Sequence, residues 1–250
     1  MPTILTERHH LPMHPLVDWN FFRFCKENAI PVGLFYRDIY WIFEEYGREL
    51  NRAKVLAAKL AYRFDLWWYQ QTLTKLYLPS IEMGKYIPTV SSGKFASLPP
   101  GHSVASTTPS SLNSPLKLFY VGGVSDHYQM HKLFSVLKRF PNIQFTICTR
   151  ETEWLTMRHE YPALTSNIRV IHAIGNDMEK ELREADIAVL FVKPQKYRGF
   201  AVPFKLFEYL GFKKPILASS GTLAGKFVAE HNIGWTIDYD ETALSIFLEK

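Results

Sequence analysis

A lysine and a glutamate three residues apart are the side chains of this 250-residue chain best placed to act together. Lys205 and Glu208 fall on one turn of a helix predicted to begin near Pro203, and residues three apart on a helix are spatial neighbours. An ammonium group binds phosphate, and a carboxylate accepts hydrogen bonds from ribose hydroxyls. The pair therefore suits a nucleoside diphosphate, and the alternative is an exposed ion pair on a helix surface.

Apolar strands and amphipathic helices alternate through the second half of the sequence, where this helix lies. The predicted strands cover 116–121, 143–148, 168–172, 186–191, 215–218 and 233–238, and the predicted helices cover 128–140, 151–160, 176–185, a segment from Pro203 and 225–231. Strands that are apolar throughout and alternate with helices indicate a parallel sheet covered on both faces. We therefore predict a doubly wound, Rossmann-like α/β domain over residues 116–250.

The first half of the sequence is less regular. It predicts strands at 31–36 and 76–79, a long helix at 47–69 and a helix from Ser80. The stretch from Ser91 to Pro115 is rich in Ser, Pro and Gly and indicates a linker. We predict a partial amino-terminal α/β domain over residues 1–100, a linker over 101–115 and a carboxy-terminal domain over 116–250.

Two further groups of residues could contact a phosphorylated ligand or an acceptor. Gly122 and Gly123 follow the strand 116–121, and they could bind a diphosphate through their backbone or simply form a tight turn. Arg198 precedes the helix at Pro203, and it could bind the same diphosphate or be a solvated loop charge. Arg37 and Asp38 follow an apolar run and should emerge at a strand tip. Arg37 could hold an acceptor or donor oxygen and Asp38 could act as a base, and the alternative is a structural pair.

Four segments of the chain resemble GT-B glycosyltransferases, in particular the family 4-like group. Ile30–Trp41 looks like the amino-domain strand that ends in a His-Asp pair, which here is Arg37-Asp38, and Leu98–Gly101 is similar to the turn between the domains. Leu118–Ser125 resembles the first strand and loop of the carboxy domain, and Pro203–Ser219 resembles the donor-binding motif. Phe200 stands where the E-x7-E motif of the family has its first glutamate.

This resemblance implies a GT-B fold with two groups of site residues. It implies donor binding by Gly122, Gly123, Arg198, Lys205 and Glu208, and a catalytic site that includes Arg37 and Asp38. A complete amino domain of the family has further strands and a glycine-rich loop, so the chain is expected to be truncated at its amino terminus.

The implied activity is a hexosyltransferase of polysaccharide biosynthesis, which moves a sugar from a nucleotide-sugar to a glycan or lipid-linked acceptor without a metal or other cofactor. One alternative is a non-catalytic partner subunit that keeps the nucleotide fold, which the absent strands, Phe200 and Arg37 favour. A second is a sugar-nucleotide epimerase of the same fold, which requires cleft acids and bases that the sequence does not display.

Charge and composition limit the partners. A net charge of +5 and a pI near 9.0 suit a phosphate-bearing partner. The basic residues are dispersed and no nucleic-acid-binding module motif is present, which argues against nucleic acid as the partner.

Arg48–Tyr69 combines basic and aromatic residues as interfacial helices do, so we expect either peripheral membrane contact or a core-packed helix. Two distant cysteines and the lack of a signal peptide or spanning run predict a cytoplasmic protein, so the surface for the first of these two alternatives is the inner membrane face. Prolines break the Glu7, His9, His10 and His14 segment, so no metal site is expected there.

Overall fold

The structure is a computed structural model of the chain, and it describes residues 15–43, 46–47, 50–105, 115–125 and 128–249. The chain divides into two compact units between Pro99 and Pro100. Glu7, His9, His10 and His14 lie outside the described residues, and so do residues 106–114 of the predicted linker.

The first unit is built on a parallel sheet of three short strands. Its elements are α1 (Pro15–Glu27), β1 (Gly33–Phe35), α2 (Arg52–Thr72), β2 (Lys75–Leu78) and β3 (Phe95–Ser97). The strands lie in the order β1-β2-β3, and β2 pairs in parallel with both neighbours. The helix α2 begins five residues later than predicted, because Asn51 accepts a hydrogen bond from the Ala53 backbone N–H (2.8 Å) and caps it.

The structure of this unit differs from the sequence prediction in three places. The helix α1 was missed, although it buries Phe22 and Cys25. The segment after Ser80 forms a 3-10 helix at Ile81–Tyr86. The stretch from Ser91, predicted as a linker, contains the strand β3. Phe95 of β3 pairs with Leu76 of β2. A strand of three residues carries too short an alternation to be recognised from sequence alone.

The second unit contains a parallel sheet of six strands with helices between them. Its elements are β4 (Leu116–Val121), α3 (His131–Leu137), β5 (Ile143–Cys148), α4 (Glu151–Met157), β6 (Ile168–Ile171), α5 (Asn176–Glu184), β7 (Ile187–Leu190), α6 (Phe204–Gly211), β8 (Ile216–Ser219), α7 (Leu223–His231), β9 (Gly234–Ile237) and α8 (Glu241–Leu248). The strand order is β6-β5-β4-β7-β8-β9, and all the pairings are parallel. The predicted doubly wound sheet is confirmed.

The two faces of this sheet bury different side chains of the same strands. In β4, Leu118 and Tyr120 pack into one apolar cluster and Phe119 packs into the other. Such alternation within an apolar strand requires cover on both faces, which the helices supply. The chain moves outward from β4 to β6 and then returns to β7 beside β4, so the strand order reverses between β4 and β7. Open α/β sheets bind ligands outside the carboxyl ends of the strands at such a point.

Candidate functional site

The carboxyl ends of β4 and β7 frame a pocket that is open to solvent. Its lining includes Tyr120 from β4, Leu190 from β7, and the basic residues Arg198 and Lys205. The pocket therefore lies at the reversal of the strand order and presents two cations beside apolar walls. Concave sites of this composition bind small molecules.

Lys205 lies in this pocket because α6 is fixed to the sheet. Leu206 and Tyr209 of α6 are buried, and the Tyr209 hydroxyl accepts a hydrogen bond from the Val121 backbone N–H (2.9 Å) at the end of β4. The first turn of the helix therefore faces the residues that follow β4. The predicted helix at Pro203 is confirmed, and Pro203 is its N-terminal boundary residue.

The ammonium group of Lys205 is surrounded by aromatic side chains. Its Nζ donates to the Tyr120 hydroxyl (2.8 Å) and lies 4.2 Å and 4.3 Å from the ring centres of Tyr120 and Tyr128. The Tyr120 hydroxyl in turn donates to the Gly123 carbonyl (2.6 Å). Burial, and secondarily the charge of Arg198, lower the pKa of Lys205 well below its usual value. An anion in the pocket would favour the charged form of this lysine.

The two glycines after β4 give close approach to charged side chains. A Cβ on Gly122 would lie 2.0 Å from Lys205 Nζ, and the φ of Gly122 is +143°, which other residues rarely adopt. A Cβ on Gly123 would lie 2.7 Å from Glu153 Oε1. The backbone conformation therefore favours glycine at position 122, and a side chain at either position would displace the end of Lys205 or Glu153.

Arg198 lies in a 3-10 helix at Lys196–Gly199 and is buried, with 6% of its surface exposed. Its guanidinium Cζ lies 4.0 Å from the ring centre of Tyr128, so Tyr128 contacts both cations of the pocket. This burial differs from the solvated loop charge that was the alternative for Arg198. Phe200, two residues later, is also buried and packs against Tyr197.

Glu208 lies one turn after Lys205 and is partly buried. Burial raises the pKa of the Glu208 carboxyl, and the charges of His102 and Lys205 oppose that shift. His102 reaches α6 because its segment follows the helix: the Ala105 backbone N–H donates to the Gly211 carbonyl (2.8 Å), and His102 lies against Phe212. The structure thus brings Gly122, Gly123, Arg198 and Lys205 together, with Glu208 adjacent on the same helix.

Two residues at this site were missed by the sequence analysis. His102 lies in a stretch without periodicity, and its sequence gave no signal of a position beside Glu208. Glu153 lies in the first turn of α4 and contacts the loop after β4, where its Oε1 accepts hydrogen bonds from the backbone N–H groups of Val124 (2.9 Å) and Ser125 (3.2 Å). That contact links residues 28 and 29 positions apart, which local patterns do not reveal.

Arg37 and Asp38 lie in the first unit, directly after β1 as predicted. Asp38 Oδ1 accepts hydrogen bonds from the backbone N–H groups of Ile39 (2.6 Å) and Tyr40 (3.0 Å), which start a 3-10 helix at Tyr40–Ile42. Asp38 therefore has a structural role in forming this turn. Arg37 is exposed, and the catalytic roles of both residues remain predictions.

The helix α2 has apolar residues on two opposite faces. Ala58, Tyr62, Leu66 and Tyr69 are buried, whereas Leu56, Leu60, Phe64 and Trp67 are 59%, 55%, 46% and 47% exposed. The exposed set has spacings of four, four and three residues and therefore forms a continuous stripe, which we call the α2 outer stripe.

No described helix is long and apolar enough to cross a membrane. Among the described residues, no group of three or more His, Cys, Asp or Glu side chains could hold a metal ion.

Comparison with known proteins identifies the fold. No protein-family model matches the chain, and no curated protein matches it in sequence. HepE from Anabaena, crystallised in complex with UDP and glucose, aligns with a TM-score of 0.64 and 11% identity, over 92% of this chain and 64% of HepE. WaaG, a glycosyltransferase involved in lipopolysaccharide biosynthesis, aligns with a TM-score of 0.60 and 15% identity, over 99% of this chain and 76% of WaaG.

A third similar structure, TarM, has a TM-score of 0.56 and 10% identity, over 76% of this chain and 39% of TarM. The chain thus spans less than two thirds of the length of HepE and TarM. At these identities the alignments establish the fold alone. The chain has the GT-B type α/β fold that its sequence predicted.

Proposed function

We propose that the protein is a glycosyltransferase of the family 4-like group that transfers a hexose from a nucleotide-sugar. The main support is the pocket at the strand-order reversal, where Lys205 and Arg198 lie beside the loop after β4. HepE, whose fold this chain shares, was crystallised with UDP and glucose. We therefore take UDP as the first nucleotide to test.

In this proposal the carboxy-terminal domain, residues 116–250, binds the donor. Lys205, Arg198 and the backbone of Gly122 and Gly123 stabilise the negative charge on the departing diphosphate, and no metal or other cofactor takes part. Glu208 accepts hydrogen bonds from the ribose hydroxyls. The partly buried carboxyl of Glu208 suits this role because neutral hydroxyl donors replace the water that burial removes.

Residues 1–100 supply the acceptor side in the same proposal, and 101–115 connect the two domains. Arg37, exposed after β1, is proposed to hold an acceptor or donor oxygen, and Asp38 is proposed to act as the base. In the structure, Asp38 Oδ1 accepts hydrogen bonds from two backbone N–H groups, which hold the carboxylate in place.

Incubation with UDP- and GDP-hexoses should release the nucleoside diphosphate, with water as acceptor when no sugar acceptor is present. Asp38→Asn should reduce this release about 100-fold or more, the usual contribution of a general base. Its thermal stability should match the wild type, because asparagine keeps the oxygen that accepts from Ile39 and Tyr40. An isomerised nucleotide-sugar would instead indicate an epimerase, and nucleotide binding without turnover would indicate a non-catalytic subunit.

We further propose that the α2 outer stripe contacts an anionic membrane surface in the cytoplasm, as a lipid-linked acceptor would require. A soluble helix normally turns polar residues to water, so exposed apolar residues opposite the buried face indicate a covering partner. Arg52, Lys54 and Arg63 of α2 are exposed, and Asp65, the acidic residue of α2, is buried. This charge favours anionic lipid over a neutral or acidic partner.

Sedimentation with vesicles that contain anionic lipid should remove the protein from the supernatant, and added salt should weaken this binding. The double variant Phe64→Gln/Trp67→Gln should lose most of the binding. The matched control is Leu155→Gln/Ile246→Gln, which changes two exposed apolar residues of the second unit and should bind as the wild type does. Equal recovery of the protein in the supernatant with and without vesicles would contradict membrane contact. If the protein formed dimers without vesicles and the double variant did not, the α2 outer stripe would instead bind a second copy of the chain.

A further inference from the structure

Glu153 places a carboxylate on the loop that follows β4. Its Oε1 accepts hydrogen bonds from the consecutive backbone N–H groups of Val124 (2.9 Å) and Ser125 (3.2 Å), directly after the two glycines. Consecutive backbone N–H groups that point to one atom form an anion-binding arrangement. In this structure the anion on those two groups is the protein's own side chain.

The same carboxylate acts on Lys205. The negative charge of Glu153 favours the protonated form of Lys205, and so does the more weakly acting Glu208, whereas Arg198 disfavours it. The other groups that face Lys205 are the Tyr120 hydroxyl and the ring of Tyr128. Gly122 lies against Lys205 Nζ and the next residue, Gly123, lies against Glu153 Oε1, so the two side chains meet the same loop and Glu153 is a nearby counter-charge for Lys205.

The helix that carries Glu153 is held by partial packing. None of the residues of α4 is fully buried, and Trp154 and Met157, which pack against the neighbouring apolar cluster, are only partly buried. Few buried apolar contacts make local rearrangement less costly. The hydrogen bonds that Glu153 accepts from Val124 and Ser125 connect the first turn of α4 to the loop.

We infer that Glu153 is a resident counter-ion of this pocket, and that the diphosphate of a bound nucleotide displaces its carboxylate from the Val124 and Ser125 amides. The inference rests on the proposed function, because it takes the diphosphate as the ligand of Lys205 and Arg198. Glu153 then orders the loop after β4 when the pocket is empty. Because the diphosphate must displace it, Glu153 also lowers the affinity for diphosphates. A nucleotide bound in the pocket would replace one anion on the loop amides with another.

The test is calorimetric titration of wild type and Glu153→Gln with UDP and with uridine. Glutamine keeps a side-chain oxygen that can accept from both amides and removes only the charge, so UDP should bind about 3- to 10-fold more tightly, as expected for one like charge removed near a partly buried anion. Uridine, which carries no phosphate, should bind equally to both proteins. The matched control is Glu151→Gln, which removes an exposed charge on the same turn and should leave UDP binding within about 2-fold of wild type.

Each outcome supports or overturns the inference. Wild-type binding of UDP that Glu153→Gln leaves unchanged or weakens would overturn the inference and leave the proposed function intact. An equal gain in Glu151→Gln, or an equal gain for uridine, would also overturn it, because the effect would then not arise at the loop amides. Failure of both wild type and Glu153→Gln to bind UDP at millimolar concentration would overturn the inference and the proposed function together.

Discussion

Lys205→Met is expected to weaken binding of UDP or GDP by about 10- to 150-fold, which corresponds to the loss of about 1.5–3 kcal/mol for hydrogen bonds to a charged group. Methionine keeps an unbranched side chain beside Tyr120 and Tyr128 and removes the ammonium group. Binding of uridine should change little, because the proposed partner of Lys205 is the diphosphate. Calorimetry with both ligands measures the difference directly.

The control for this variant is Lys226→Ala, which removes an exposed lysine of α7 that pairs with Glu230. It changes the net charge by the same amount, so it should bind UDP as the wild type does. If Lys205→Met reduced uridine and UDP affinity equally, Lys205 would not act on the phosphates, and a general disturbance of the pocket would explain the loss.

Glu208→Ala is expected to weaken uridine and UDP binding alike, by about 1.5–3 kcal/mol, because its proposed partners are the ribose hydroxyls that both ligands carry. The sharper readout is the preference for UDP over 2′-deoxy-UDP. The wild type should show this preference, and Glu208→Ala should lose most of it, since the carboxylate that accepts from the hydroxyl is gone.

Glu230→Ala serves as the matched control for Glu208→Ala, because it removes an exposed carboxylate from the same unit. It should retain both the affinity and the preference for the ribose. A preference for UDP that survives in Glu208→Ala would assign recognition of the ribose to another residue, and His102 beside Glu208 would be the first to examine.

The sequence predicted the second unit well because its strands are buried on both faces. β4 and β5 are observed at the predicted residues, since uninterrupted apolar runs bounded by polar or turn residues leave little freedom in the boundaries. The helix that carries Lys205 and Glu208 was predicted from its pattern. The reversal between β4 and β7 that positions it follows from the pairing of distant strands and is a property of the folded sheet.

Other features depend on contacts that a linear pattern does not contain. Glu153 of α4 accepts hydrogen bonds from the loop after β4, which lies far from it in sequence. His102 lies beside Glu208 of α6 and comes from a stretch without periodicity. The strand β3 is only three residues long, and β2 provides its pairing partner. In α2 the composition predicted an interfacial or a core helix; in the structure one face is buried and the opposite face is exposed.

The most direct test of the account is calorimetric titration of the wild-type chain with UDP, GDP and uridine. We predict that at least one of the two diphosphates binds, and binds more tightly than its nucleoside, because Lys205 and Arg198 contribute only where a diphosphate is present. Added salt should reduce this difference by screening the charges. A chain that binds none of these ligands at millimolar concentration would contradict the proposed donor site and leave a GT-B fold that serves as a non-catalytic subunit.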